Sequence, residues 1–252
     1  MRKIWVPFLM VWFMIVPAAV AQELETRQWE IEAPAGSEMD LNLEVVVYYG
    51  TEKTPVVLRS ITDPLKLTAQ RVEYYRQEER FFAQGKVVIE GEDAGPTPSH
   101  FLVTGEEVVY LAAEGLLKFS QGGTVQRDDV SLKAGKIFIT LDEQTESMEV
   151  TSFEATNGFT LLNSEGEMTG NILKGDTNQG MVEAIGDLRF QYGEISGEAD
   201  QAVYFEGDGE IHLLGTPFIY REKDYITGES IIYNLKTEKA MVFGPVRTRL
   251  YR

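Results

Sequence analysis

The sequence predicts an all-β, repeat-built antiparallel fold, and three observations carry that prediction. Apolar residues alternate with a period of two along most of the chain, and no stretch carries a helical stripe. At four places a small residue is followed sixteen positions later by a glycine: Ala69 with Gly85, Gly170 with Gly186, Ala199 with Gly215, and Gly228 with Gly244. Gly105 and Gly123 make a fifth pair at a slightly longer spacing. Recurrence at a fixed spacing means one supersecondary unit copied and stacked. Stacked units build surfaces and channels more readily than a single catalytic cleft.

Residues 1–21 read as a targeting segment rather than as structure. Arg2 and Lys3 precede an apolar run, Ile4 to Val16, and Ala19-Val20-Ala21 is a small-x-small cleavage site before Gln22. A retained single-span anchor is the competing reading, but the run is shorter than the roughly 20 residues that a bilayer core requires. Export by a cleaved signal peptide is therefore expected. The remainder of the chain is long enough for one large all-β domain or two small ones. Cysteine is absent, so stability rests on burial and backbone pairing. The net charge of −17 argues against nucleic acid or an anionic membrane face as partner, and it suits the solubility of a β protein with exposed edges.

Residues 22–60 fit the repeat poorly and are expected to be an extension that caps it. Trp29-Glu-Ile31-Glu-Ala33 and Leu41-Asn-Leu43-Glu-Val45 alternate, and Pro34, Gly36 and Ser37 look like a connector. Val45 to Gly50 followed by Thr54 to Leu58 is the pattern of a hairpin.

The repeat domain is expected over residues 61–252. Ala69-Gln-Arg-Val72-Glu-Tyr74 aligns with Gly105-Glu-Glu-Val108-Val-Tyr110, Ala134-Gly-Lys-Ile137-Phe-Ile139, Ala199-Asp-Gln-Ala202-Val-Tyr204 and Gly228-Glu-Ser-Ile231-Ile-Tyr233. The third and fifth residues after each anchor are mostly large and apolar, and on a strand they share a face. A polar turn follows, such as Arg76 to Arg80, Glu206 to Glu210 or Lys236 to Lys239. A second run comes next (Phe81 and Ala83, Val182 and Ala184, Ile211 and Leu213, Ala240 and Val242), and after the glycine a third (Val87 and Ile89, Leu188 and Phe190, Pro217 and Ile219). Each unit reads as strand, turn, strand, glycine bend, strand. The third unit departs: Val150-Thr-Ser-Phe153 stands where the glycine is due, and Gly158 comes late. The fourth lacks a tyrosine after Gly170. Gly91 to Ser99 reads as a surface loop.

Candidates for chemistry are sparse. His100 lies beside the Pro-rich loop, and His212, between inward Ile211 and Leu213, is expected to face solvent. No thiolate, His-x-x-x-His pair or phosphate loop is present. Asp176 to Gly180, with Asp187 beyond, resembles a calcium loop only faintly and is expected to be a turn. The acidic pairs Glu78-Glu79, Glu106-Glu107, Asp128-Asp129 and Asp142-Glu143 join strand neighbours on opposite faces, so they form no acid–base couple by themselves. No catalytic residue, metal or cofactor is expected.

Ile61 to Tyr74 running into Phe82-Ala-Gln-Gly-Lys-Val-Val-Ile89, Gly197 to Phe205 running to Phe218, and Ile226 to Tyr233 running to Val246 together resemble the LptA/OstA family. The resemblance spans about residues 61–250 and is weakest in the middle. It implies an antiparallel β-jellyroll forming an open, V-shaped trough, an OstA-like fold. It also implies a periplasmic, non-enzymatic protein that carries lipopolysaccharide between the inner and outer membranes by stacking end to end. The implied partners are LptC-like and LptD-like proteins, met through edge strands.

One buried CH₂ is worth about 0.8 kcal/mol, so an acyl chain of about a dozen carbons demands on the order of 10 kcal/mol of shelter. The residues expected to line such a trough and hold lipid A are Val72, Tyr74, Phe81, Val108, Tyr110, Ile137, Ile139, Tyr204, Ile211, Leu213, Ile231, Tyr233 and Val242. A dry core would show the same alternation. Arg71, Arg76, Arg80 and Lys86 are candidates at a trough mouth. Three other readings stay open: an LptC-like anchored component, a β-solenoid acting on polysaccharide, and an envelope protein that polymerises through its edges.

Overall fold

The computed structural model of the chain describes residues 29–61, 64–92, 100–142, 149–237 and 239–250. The expected signal peptide and most of the Pro-rich loop lie outside these residues. Among them the regular structure is β-strand joined by turns, with two single-turn 3₁₀ segments, Arg76–Glu78 and Ala112–Glu114, and no α-helix. The strands pair antiparallel throughout. The all-β antiparallel fold read from the two-residue period is the fold observed.

The chain divides into two compact units, each built in the same way. The N-terminal unit contains β1 (Trp29–Glu32), β2 (Ser37–Asp40), β3 (Val45–Tyr49), β4 (Val56–Ser60), β5 (Leu65–Ala69), β6 (Arg71–Tyr75), β7 (Arg80–Glu92), β8 (His100–Leu111), β9 (Leu116–Phe119), β10 (Gly123–Arg127) and most of β11 (Val130–Asp142). The C-terminal unit contains most of β12 (Glu149–Leu162), then β13 (Gly166–Gly170), β14 (Ile172–Asp176), β15 (Met181–Tyr192), β16 (Ile195–Phe205), β17 (Glu210–Leu214), β18 (Phe218–Arg221), β19 (Asp224–Thr227), β20 (Ser230–Asn234), β21 (Lys239–Phe243) and β22 (Arg247–Arg249).

The glycine bend organises both units. β7 and β15 run through two layers, and their registers shift between Gln84 and Val87 and between Ile185 and Leu188, where the glycine sits. Gly85, Gly186, Gly215 and Gly244 all have φ near +80°, a conformation that costs other L-residues strain. Space adds a second reason. A Cβ on Gly85 would lie 2.7 Å from the Gln70 side chain, and one on Gly215 would lie 2.2 Å from the Asp200 carboxylate. Gln70, Asn171, Asp200 and Glu229, each following a small anchor, thus lie against the glycine paired with that anchor. The amide of Gln70 donates to the carbonyls of Gln84 and Gly85, and that of Asn171 to Ile185 and Gly186. The late glycine of the third unit lies inside a strand rather than a turn and does the same work: Gly158, φ +82°, donates its amide to Asn171.

Each unit accordingly has a tyrosine layer, the hairpins that follow the anchors, and a return layer beyond the bend. In the N-terminal unit the tyrosine layer is β3, β6, the first half of β7, the second half of β8, β9 and the end of β11. Its return layer is β1, β4, β5, the second half of β7, the first half of β8, and β10.

Two N-terminal expectations are corrected. Residues 41–44 form a turn, not a strand: the Asp40 carboxylate accepts the amides of Asn42 and Leu43, and Glu44 has positive φ. β3 and β4 do not form a hairpin with each other. β3 lies between β2 and β6, and β4 between β1 and β5. Gly50 to Pro55 is a corner that passes the chain from one layer to the other, where a Cβ on Gly50 would lie 2.4 Å from the Val56 nitrogen.

Candidate functional site

Strand register carries the third and fifth repeat positions into two continuous rows on the inward face. In the N-terminal unit one row runs Tyr48, Val72, Ala83, Val108, Phe119, Ile137 and the other Val46, Tyr74, Phe81, Tyr110, Leu117, Ile139. In the C-terminal unit the rows are Leu173, Ala184, Ala202, Leu213, Ile231, Val242 and Gly175, Val182, Tyr204, Ile211, Tyr233, Ala240. All thirteen residues singled out in the sequence therefore stand on an inward tyrosine-layer face, divided between the two units.

The rows differ in cover. Next to the glycine bends, Val72, Ile137 and Ile231 are 0 % exposed and Val108 is 2 %. Toward the hairpin turns, Tyr74, Phe81, Tyr110, Ile211 and Tyr233 are half-buried. Tyr74 and Phe81 stack with centroids 4.5 Å apart, Phe81 and Tyr110 at 6.5 Å, and Trp29 of β1 reaches Phe81 across the layers at 6.4 Å. Ile139, Val182 and Tyr204 are exceptions, buried in the row toward the hairpin turns. Burial, and secondarily the Glu206 charge, pushes the Tyr204 phenol up from its ordinary value.

Burial fades toward the C-terminal end of the face. Ile231 is sealed, Val242 on the next strand is half-buried, and Ala240 is exposed. Among the described residues β21 pairs only with β20 and β22 only with β19. In the N-terminal unit, among the described residues, β1 pairs only with β4 and β2 only with β3. These strands present backbone donors and acceptors that no neighbouring strand uses.

The return layer supplies the opposing apolar wall, which is absent from the thirteen residues expected to line the trough. Leu58, Ile89, Val103 and Val125 line up through register in the N-terminal unit and are buried; Leu188 and Tyr192 are buried in the C-terminal unit. The apolar runs after each closing glycine contain that signal.

Among the described residues the histidine and acidic candidates serve turns and surface pairs. His212 lies on the outward face, its Nε2 3.1 Å from Glu210 and its ring edge-on to Phe205. Asn234 also donates to Glu210, and the contacts with His212 and Asn234 hold that carboxyl below its usual range. Asp176 closes a turn, accepting from the amide and side chain of Gln179. Among the described residues no group of three or more histidine or acidic side chains is arranged to hold a metal. Arg71 and Arg80 pair with Glu73 and Glu78 and lie over Tyr49 and Tyr75, while Lys86 pairs with Glu52.

The family model described as LptA/(LptD N-terminal domain) LPS transport protein matches residues 102–239, more than half of the chain. The chain belongs to this family. Among solved structures it is similar to LptH from Pseudomonas aeruginosa, described as the LptA homologous periplasmic component of the conserved lipopolysaccharide transport device. That likeness has 12% identity and a TM-score of 0.41, and covers 49% of this chain and 95% of that one. No curated protein matches the chain. Membership in the LPS transport family accords with an inward apolar face that opens at its rim: the arrangement can shelter hydrocarbon.

Proposed function

We propose that this protein is a periplasmic carrier of lipopolysaccharide, exported by a cleaved signal peptide. Acyl chains of lipid A enter between the tyrosine and return layers at the half-buried row and extend along the inward face. The observation that carries this reading is the inward apolar face, continuous from strand to strand and losing its cover at Tyr233, Val242 and Ala240. Burying acyl CH₂ groups against it supplies the driving force, about 0.8 kcal/mol each. Transfer requires no covalent step. In this reading Val72, Val108 and Ile137 form the floor within the N-terminal unit and Leu213 and Ile231 within the C-terminal unit, while Tyr74, Phe81 and Tyr110 in the first and Ile211, Tyr233 and Val242 in the second are the part that yields to the ligand. Ile139 and Tyr204 brace it. The strands within 22–60 cap the repeat domain, 61–252. The free edges of the terminal strands take LptC-like and LptD-like neighbours, or another copy end to end, by β-augmentation, bridging the two membranes.

The test is photo-crosslinking in a lipopolysaccharide-producing host. A photoreactive phenylalanine at Tyr233 is expected to capture lipopolysaccharide, and one at His212, on the outward face of the neighbouring strand, is not. Equal capture at both positions, or at neither, would rule out the inward face as the lipid path.

A further inference from the structure

We propose that the edge formed by β21 and β22 docks end-on onto an anionic phospholipid surface. β21 closes the tyrosine layer of the C-terminal unit, β22 closes its return layer, and the bend at Gly244 joins them. From Lys236 to Arg252 the sequence has five cationic side chains and one acid, Glu238, although the whole carries a net charge of −17. Asp224 is the only acid within strands β19 to β22, and Glu229 lies at the Gly244 bend. Apolar side chains stand among the cations: Met241, Phe243, Val246 and Leu250 are all exposed. Register puts Lys239, Met241 and Phe243 on the outward face, the side of His212. Arg247 and Arg249 share a face of β22; the Arg249 guanidinium lies over the Tyr225 ring, with Tyr220 and Phe218 beyond it.

Cations interleaved with exposed apolar side chains, and tyrosines behind them, suit the boundary between headgroups and acyl chains. The cations are drawn to the anionic surface as diffuse charge, so Arg249 contributes while it keeps its contact with Tyr225. The apolar tips enter the boundary, and hydrated headgroups still meet the backbone groups of the edge. The net charge of the whole chain does not cancel this attraction, because charges more than about 8 Å from the surface are screened at physiological ionic strength. A protein neighbour accounts for less of the pattern. A strand added to β21 uses the edge backbone and covers Ala240 and Val242, but leaves Met241 and Phe243 outward in water. The N-terminal unit supplies the contrast: Met39, Leu41 and Leu43 are exposed too, but they stand among Glu38, Asp40 and Glu44, which an anionic surface repels. The docking goes beyond the carrier reading and does not rest on it; for a carrier, it sets the opening at Val242 and Ala240 against a membrane.

The experiment is flotation of the full chain with vesicles that contain no lipopolysaccharide. One set is phosphatidylethanolamine with phosphatidylglycerol, the other phosphatidylcholine alone. Partition onto the phosphatidylglycerol vesicles is expected, and onto phosphatidylcholine about tenfold less or weaker still. Lys239→Gln/Arg247→Gln is expected to weaken partition about thirtyfold, and Met241→Ser/Phe243→Ser about tenfold, with melting temperatures unchanged. Leu41→Ser/Leu43→Ser is expected to leave it intact. No flotation, equal flotation on both compositions, or a loss in the Leu41→Ser/Leu43→Ser variant as large as in the other two would overturn the proposal. A wild type that ignores vesicles but forms oligomers that Lys239→Gln/Arg247→Gln dissolves would give the edge to a protein neighbour instead. Protein that purifies without lipopolysaccharide and takes none up, yet floats as expected, would overturn the carrier reading and leave the docking standing.

Discussion

The two inward rows are built from the same repeat, two residues apart, yet they meet different surroundings. The row beside the glycine bends lies in the angle where one layer turns into the other, so Val72, Val108, Ile137 and Ile231 are covered from both sides. The row toward the hairpin turns lies where the opposing layer gives less cover, and Tyr74, Tyr110 and Tyr233 stay half-buried. At these positions, place in the repeat separates sealed from half-buried side chains, and in the proposed carrier reading it separates structure from ligand contact. A methyl-rich side chain in the angle maintains the fold, while a tyrosine near the turn keeps its ring on the apolar face and its hydroxyl near water.

A charge in the sealed row gives the largest expected effect. Ile231→Asp leaves an uncompensated carboxylate in a closed apolar site and is expected to cost about 3–5 kcal/mol, read as loss of the cooperative thermal transition. Retained folding would show that the angle admits water and would erase the distinction between the rows. The bend itself comes next. Gly215→Ala places a methyl against the Asp200 carboxylate at positive φ and is expected to cost about 1–3 kcal/mol. Gly193→Ala, also at positive φ but with no atom within 4 Å, should cost about 1 kcal/mol. Denaturant midpoints of the pair compare packing with backbone conformation alone; equal losses would make the Asp200 contact over Gly215 irrelevant.

In the open row the same chemistry should spare the fold. Tyr233→Asp is expected to shift stability by less than about 1 kcal/mol while abolishing lipid capture. Global unfolding of this variant would put Tyr233 in the sealed class. The smallest effect belongs to the outward face. Glu210 titrates below its unfolded value because His212 and Asn234 favour its charged form, so its contribution is present above the ordinary carboxylate range and disappears as pH falls through the lowered value. The melting temperatures of wild type and Glu210→Gln should differ slightly at neutral pH and converge in acid; a difference persisting below the carboxylate range would contradict this.

Much of the fold is legible in the repeat because one local pattern serves several purposes at once. Anchor, alternation and glycine fix strand, face and bend together, so spacing alone places Val72 with Tyr74, and Ile231 with Tyr233, on one face. Legibility ends where side-chain contacts decide. Leu41 and Leu43 alternate like strand residues, but Asp40 caps a turn and leaves both exposed. Val45 to Leu58 looks like a hairpin because a corner between layers and a turn within one share the same short polar composition with a glycine and a proline. Exposure within the rows is equally hidden, since alternation reads the same for Ile231 and Tyr233. The aromatic group of Phe218, Tyr220 and Tyr225 emerges only when register sets β18 against β19.

The most direct measurement is native mass spectrometry of the protein purified from a lipopolysaccharide-producing host, with lipid extraction alongside. The account predicts copurifying lipopolysaccharide in the wild type, and its loss in a Tyr74→Asp/Tyr233→Asp double variant that retains the cooperative melting transition. A folded wild-type protein that stays lipid-free even when offered purified lipopolysaccharide would contradict the account and make both rows a dry core.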